Sequence, residues 1–167
     1  MTLKTLAPAD AAPYRALRLT ALRENPPAFA TLAEDEETLP LEAFASRLTA
    51  SPDAYLIGAW EDDVLVGSIR FARFEALNER HRGLIEGFYV ESQFRRRGIA
   101  RALLAELLAH ARRDGELRRL ELSVVTTQSA ALSLYESAGF RKCGTLREAF
   151  AKTGQFFDES LMELSLI

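Results

Sequence analysis

The sequence predicts an α/β fold, a mixed sheet with one parallel crossover at its centre. Two observations lead there. Period-two or branched-residue runs mark strands while 3.6-period stripes mark helices, and their order is strand, two helices, three strands, helix, strand, helix, two strands. The strand–helix–strand unit in the middle supplies the crossover, which is where a ligand is expected.

Thr2 to Leu6 alternates enough for an edge strand. Asp10 is placed to cap a helix running to Glu24, with Tyr14, Leu17 and Ala21 on one face. Asn25-Pro26-Pro27 ends it, because proline cannot continue the hydrogen-bond ladder. A second helix follows Thr38, with Pro40 in its first turn and Leu41, Phe44 and Leu48 sharing a face. Ala54–Glu61 and Val64–Phe74 read as strands around the turn Asp62-Asp63, and Gly83–Val90 as a third. A long helix spans Ile99 to Arg113, with an apolar stripe of Ile99, Leu103, Leu104, Leu107, Leu108 and Ala111. Leu120, Leu122 and Val124 alternate as a strand. Ala131, Leu134, Tyr135 and Ala138 mark a shorter helix closed by Gly139. Strands Arg141–Lys152 and Phe156–Leu166 flank the turn Thr153-Gly154.

Composition sets the outer limits. The 167 residues fit one domain, residues 1–167, and 48% hydrophobic with 27% charged residues excludes wholesale disorder. No apolar run is long enough to span a membrane, and the start MTLKTLAPAD lacks the apolar core of a signal peptide. Cys143 is the only cysteine, so no internal disulfide forms. A cytoplasmic protein with no membrane partner is expected. The net charge of −3 argues against nucleic acid as a partner, and the arginine cluster lacks interleaved aromatics. Two distant histidines, His81 and His110, and one cysteine predict no metal site. His110 reads as structural, while His81, in the loop before the central strand, is a candidate for the substrate entrance.

Basic charge is concentrated in one place, Arg95, Arg96 and Arg97 with Arg101 one turn beyond. They stand where the strand ending at Val90 feeds the helix beginning at Ile99. A helix N-terminus presents unpaired N–H groups and partial positive charge, Gly98 lets backbone approach a ligand, and Ala100 keeps the first turn thin. The combination is a cradle for pyrophosphate; on residue types alone, a solvated turn fits equally well. The phosphate-loop and dinucleotide glycine patterns are both missing.

The run Arg95-x-x-Gly98-x-Ala100 resembles motif A of the GNAT superfamily of N-acetyltransferases. Ala131-x-x-Leu134-Tyr135-x-x-x-Gly139-Phe140 resembles that family's motif B, and Leu65–Ile69 resembles its third strand. Arg96 stands where the family often has Gly, Ser92 where Pro is frequent, and Gln128 where Asn usually opens motif B. The resemblance implies a mostly antiparallel, twisted sheet whose central parallel strands splay apart around acetyl-CoA. It implies that the backbone of Phe88, Tyr89 and Val90 pairs with the pantetheine arm, and that Arg95, Arg96, Arg97, Gly98, Ile99, Ala100 and Arg101 hold the pyrophosphate, with Gln128 nearby. It further implies that Tyr135 protonates the leaving thiolate while a primary amine of a small molecule or peptide attacks directly. Glu86 occupies a base position of some relatives, and strand parity would turn it to the same side as Phe88. It serves there as a base acting through water or as a ligand for a cationic substrate. The alternative function is a non-catalytic acyl-CoA-binding or protein-docking module. A homodimer is compatible with either. Acceptor choice would fall to ENPPAFATLAEDEETLP and REAFAKTGQFFDESLM, whose acidic run is either a lure for a cation or a solvated surface.

Overall fold

The computed structural model describes residues 1–167. Its sheet has seven strands: β1 (Thr2–Thr5), β2 (Ala54–Glu61), β3 (Val64–Arg73), β4 (Arg82–Val90), β5 (Arg119–Val125), β6 (Arg141–Lys152) and β7 (Gln155–Ser165). The spatial order is β1-β2-β3-β4-β5-β7-β6, and every neighbouring pair is antiparallel except β4 and β5. Helices α1 (Ala11–Glu24), α2 (Ala33–Glu37) and α3 (Leu41–Arg47) cover one face; α4 (Ile99–Arg113) and α5 (Ser129–Ser137) accompany the other. This is the mixed, mostly antiparallel α/β architecture expected from the sequence. No helix is long and apolar enough to cross a membrane.

The apolar stripe of α4 is buried as its spacing requires, with Leu103, Leu104 and Leu107 at most 1% exposed against Ile69, Ile85 and Leu120. On the opposite face Tyr14, Leu17, Ala21, Phe44 and Leu48 pack with Leu56, Leu65 and Tyr89. Leu41 does not share the α3 burial, because it opens the helix and its side chain stands in solvent. Asp10 does not cap α1. Its carboxylate turns back to accept from the Ala7 N–H and from Lys4, closing the preceding turn instead.

Helix α2 has no apolar period, which is why the sequence left Ala33–Glu37 without an element. Charge holds it. Glu36 is 5% exposed and receives both Arg18 and Arg47, while Glu37 pairs with Arg23. The acidic run is therefore not a purely solvated surface, since its third and fourth carboxylates tie α2 to α1 and α3. Burial works against ionising Glu36, but hydrogen bonds and charge from Arg18 and Arg47 outweigh it and hold its carboxyl below the ordinary value.

Candidate functional site

The parallel ladder between β4 and β5 is only three residues long, ending at Leu84 opposite Glu121. Beyond it β4 stays paired with β3 as far as Val90, and β5 stays paired with β7 as far as Val125. The two strands thus part company, and a cleft of about 330 Å³ opens between them. In a strand the backbone groups point alternately to either side. The Glu91 N–H bonds to Val66 on β3, so Val90 and Phe88 turn their backbone groups toward the gap.

A β-bulge decides which side chains meet there. Ser68 pairs with Tyr89 and Arg70 with Glu86, so Ile69 alone faces both Gly87 and Phe88. Gly87 carries the irregularity at φ +59, a conformation that costs other residues strain. The extra residue reverses the alternation, and Ile85 and Val90, five positions apart, both enter the core beneath α4. Glu86 and Phe88 therefore face opposite sides of β4, not the shared side that strand parity predicts. Phe88 packs on the α4–α5 side, with its ring 6.0 Å from Tyr135, whereas Glu86 faces the α1 side and forms an ion pair with Arg70. An isolated glycine inside a strand pattern was the signal available for this.

The cleft therefore has two halves. On the α4–α5 side lie Phe88, Val124, Ala131 and Tyr135. Tyr135 is held edge-on against Phe140, and the Phe140 N–H bonds back to the Tyr135 carbonyl to close α5. Burial alone pushes its phenol well above the usual range, with no charged neighbour contributing. Gln128 precedes α5, and its amide exchanges hydrogen bonds with the side chain of Asn25 at the end of α1 (3.3 and 3.5 Å), bridging the two halves.

Beside the first half, Gly98 takes φ +82 at the start of α4, and a side chain added there would meet nothing within 4 Å. The first N–H bonded within the helix is that of Ala102, to Gly98, so the preceding N–H groups are open to an anion. The four arginines divide. Arg95 donates to the Val90 carbonyl (2.9 Å) and Arg97 to that of Gln93 (3.3 Å), bracing the loop. Arg96 and Arg101 are exposed and make no hydrogen bond or ion pair within the chain. Arg96 sits at φ +62, which explains why glycine suits this position. Successive N–H groups around such left-handed residues form an anion-binding concavity, so the loop fits a diphosphate.

The α1 side of the cleft is lined by Arg18, Phe29, Thr31, Glu86 and Glu159. Phe29 tilts over Tyr89 (6.5 Å) beneath the Arg18 guanidinium. Tyr89 donates to Glu24 at 2.6 Å, and that bond is the leading cause holding the Glu24 carboxyl low. Glu159 on β7 lies opposite Val125 of β5 and has no basic partner. No motif or spacing in the sequence marks Arg18 or Glu159, although both candidate acceptor segments do reach the cleft. His81 does not, because it stands at the far end of β4, where its carbonyl accepts from Arg118 and Arg119. His110 lies on α4 with Glu106 (3.2 Å) and edge-on to Tyr55, a structural setting.

Splayed parallel strands, an open helix N-terminus beside them and a phenol in the gap together define an acyl-CoA-type acyltransferase. A model of the Acetyltransferase (GNAT) family matches residues 15–140, and the chain belongs to that family. N-alpha-acetyltransferase RimI of Mycobacterium tuberculosis is 34% identical to it over 125 residues, 75% of either chain. A GNAT acetyltransferase structure from Streptococcus pneumoniae covers 98% of both chains at 25% identity with a TM-score of 0.87. The structure of yncA from Salmonella typhimurium with its cofactor acetyl-CoA shares the fold, at 21% identity and a TM-score of 0.82 over all of this chain and 94% of that one.

Proposed function

We propose that the protein transfers acetyl from acetyl-CoA to a primary amine of a small molecule or peptide, with the donor on the α4–α5 side of the cleft and the acceptor on the α1 side. The observation that carries this is the Tyr135 side chain lining the gap beside Phe88, where β4 has lost its β5 partner. Acetyl-CoA supplies a thioester whose carbon takes the amine nitrogen as the carbon–sulfur bond breaks.

The chain's residues then divide the work. The N–H groups at the start of α4, with Arg96 and Arg101, receive the pyrophosphate. The edge of β4 around Phe88, Tyr89 and Val90 receives the pantetheine amides, and the Val90 N–H polarises the thioester carbonyl. Tyr135 gives its proton to the leaving sulfur and regains one, through water, from the proton that the attacking nitrogen sheds as the amide forms. Its raised pKa keeps the phenol protonated at every working pH, and the same apolar surroundings make a thiolate more basic, so the proton transfer stays matched.

On the acceptor side, the amine must lose its proton before attack. Glu86 is already neutralised by Arg70, which disfavours binding a second cation and favours ordering water that carries the proton away. Glu159, lacking a basic partner, is where the ammonium docks. The test is release of free thiol from acetyl-CoA with a panel of spermidine, L-phenylalanine and an alanine-initiated tripeptide, with products read by mass. An acetylated amine supports the reading; CoA binding with no transfer to any amine class refutes it.

A further inference from the structure

Lys152 is among the few charged residues buried in the chain, at 8% exposure, and it belongs to neither core. It closes β6 at the tip of the final hairpin, opposite Gln155. Its ammonium donates to the carbonyl of Pro26 at 2.7 Å and to that of Thr31 at 2.9 Å. No carboxylate pairs with it, and Arg18 and Glu34 are the charged groups whose fields reach it. Burying an ammonium on neutral acceptors is unfavourable, and an apolar side chain would pack the hairpin tip without that cost. An ammonium supplies something an apolar group lacks, a fixed separation between two carbonyls that lie five residues apart.

The two carbonyls bracket Phe29. They lie one residue inside either end of the segment between α1 and α2, and Ala28, Phe29, Ala30 and Thr31 all line the cleft. The segment's own backbone bonds are only the short turns from Ala28 to Asn25 and from Phe29 to Pro26. Phe29 alone is packed, on Tyr89 beneath Arg18, so Lys152 holds the Thr31 end. We infer that Lys152 is a positioning residue for acceptor specificity, clamping the 26–31 segment so that Phe29 forms a fixed wall over the acceptor half of the cleft. The inference rests on the assignment of acceptor to the α1 side. The wall selects by shape. An acceptor group that lies flat between Phe29 and the β4 edge is accepted, and a loosened segment admits bulkier ones.

Two measurements on the full chain test it. In Lys152→Met, amide hydrogens of residues 28–32 exchange about tenfold faster while those of β4 and β5 keep their rates. On the same amine panel, rate ratios between acceptors change about tenfold, the KM for acetyl-CoA stays within about twofold, and Lys152→Arg restores most of the wild-type ratios. Phe29→Ala, which leaves the clamp in place, moves the ratios in the same direction and covers the case in which Lys152→Met does not fold. Unchanged ratios in an active Lys152→Met, or ratios unmoved by Phe29→Ala, overturn the inference while leaving the acetyltransferase reading intact. A wild-type protein that acetylates none of the panel overturns both.

Discussion

The two halves of the cleft are built from different materials. The α4–α5 half is backbone and apolar surface: a strand edge without its partner, a helix N-terminus, a left-handed glycine and one buried phenol. The α1 half is held through charged side chains, with Arg18 on Glu36, Arg70 on Glu86 and Lys152 on two backbone carbonyls. Backbone donors can grip any ligand carrying amides and phosphates in sequence, so that half suits an invariant donor. A wall of paired charges changes its selectivity with single substitutions, so the other half suits a particular acceptor.

Replacing Tyr135 by Phe acts on the donor half and has the largest effect. If the hydroxyl acts on the leaving group while the ring does the packing, kcat should fall roughly tenfold to a thousandfold with acetyl-CoA affinity nearly kept. Full kcat under conditions where chemistry limits turnover would make Tyr135 a core residue and erase its part of the contrast.

Glu36→Gln tests whether charge really builds the other half. Leaving Arg18 and Arg47 without their carboxylate should cost about 3 kcal/mol of stability at neutral pH, read by denaturant unfolding. The folded carboxyl titrates below its ordinary value of 4.5, so the ionised form is the one that folding favours. Its stabilisation is complete above that pH and fades as pH falls through the folded pKa. Wild-type stability should decline below about pH 4.5 more steeply than that of Glu36→Gln, which has no such group to protonate.

That contrast also explains what the sequence disclosed. The α4 stripe was readable because six apolar residues repeat at helical spacing, and the cradle was readable because Gly98 and Ala100 occupy fixed places in a local motif. Local backbone chemistry leaves local traces. The α1 half is assembled from Arg18, Phe29, Glu86, Glu159 and Lys152, on five separate segments, and no spacing rule links them. Glu86 was placed correctly along the chain but assigned to the wrong face, because one bulge at Gly87 inverts everything after it. Helix α2 was hidden for the same reason as its charges: AEDEE reads as a solvated tract until Arg18 and Arg47 fold onto it.

A smaller effect separates the two cleft carboxylates. Glu159→Gln should raise the acceptor KM about tenfold with kcat held, the signature of lost ammonium binding. Glu86→Gln should instead depress kcat/KM most at low pH, where few amines are neutral, and recover as pH rises. Exchanged signatures would reverse their assignments.

Calorimetric titration of CoA against wild type, Gly98→Glu and Glu159→Gln tests the division of the cleft most directly. Gly98→Glu places a carboxylate in the open space of the cradle at a backbone cost of about 1–2 kcal/mol, so unfolding is followed alongside. Folded Gly98→Glu should lose CoA binding by about a hundredfold or more, while Glu159→Gln should bind CoA as wild type does. Retained affinity in a folded Gly98→Glu, or an equal loss in Glu159→Gln, would contradict the assignment of donor and acceptor to opposite sides of the sheet.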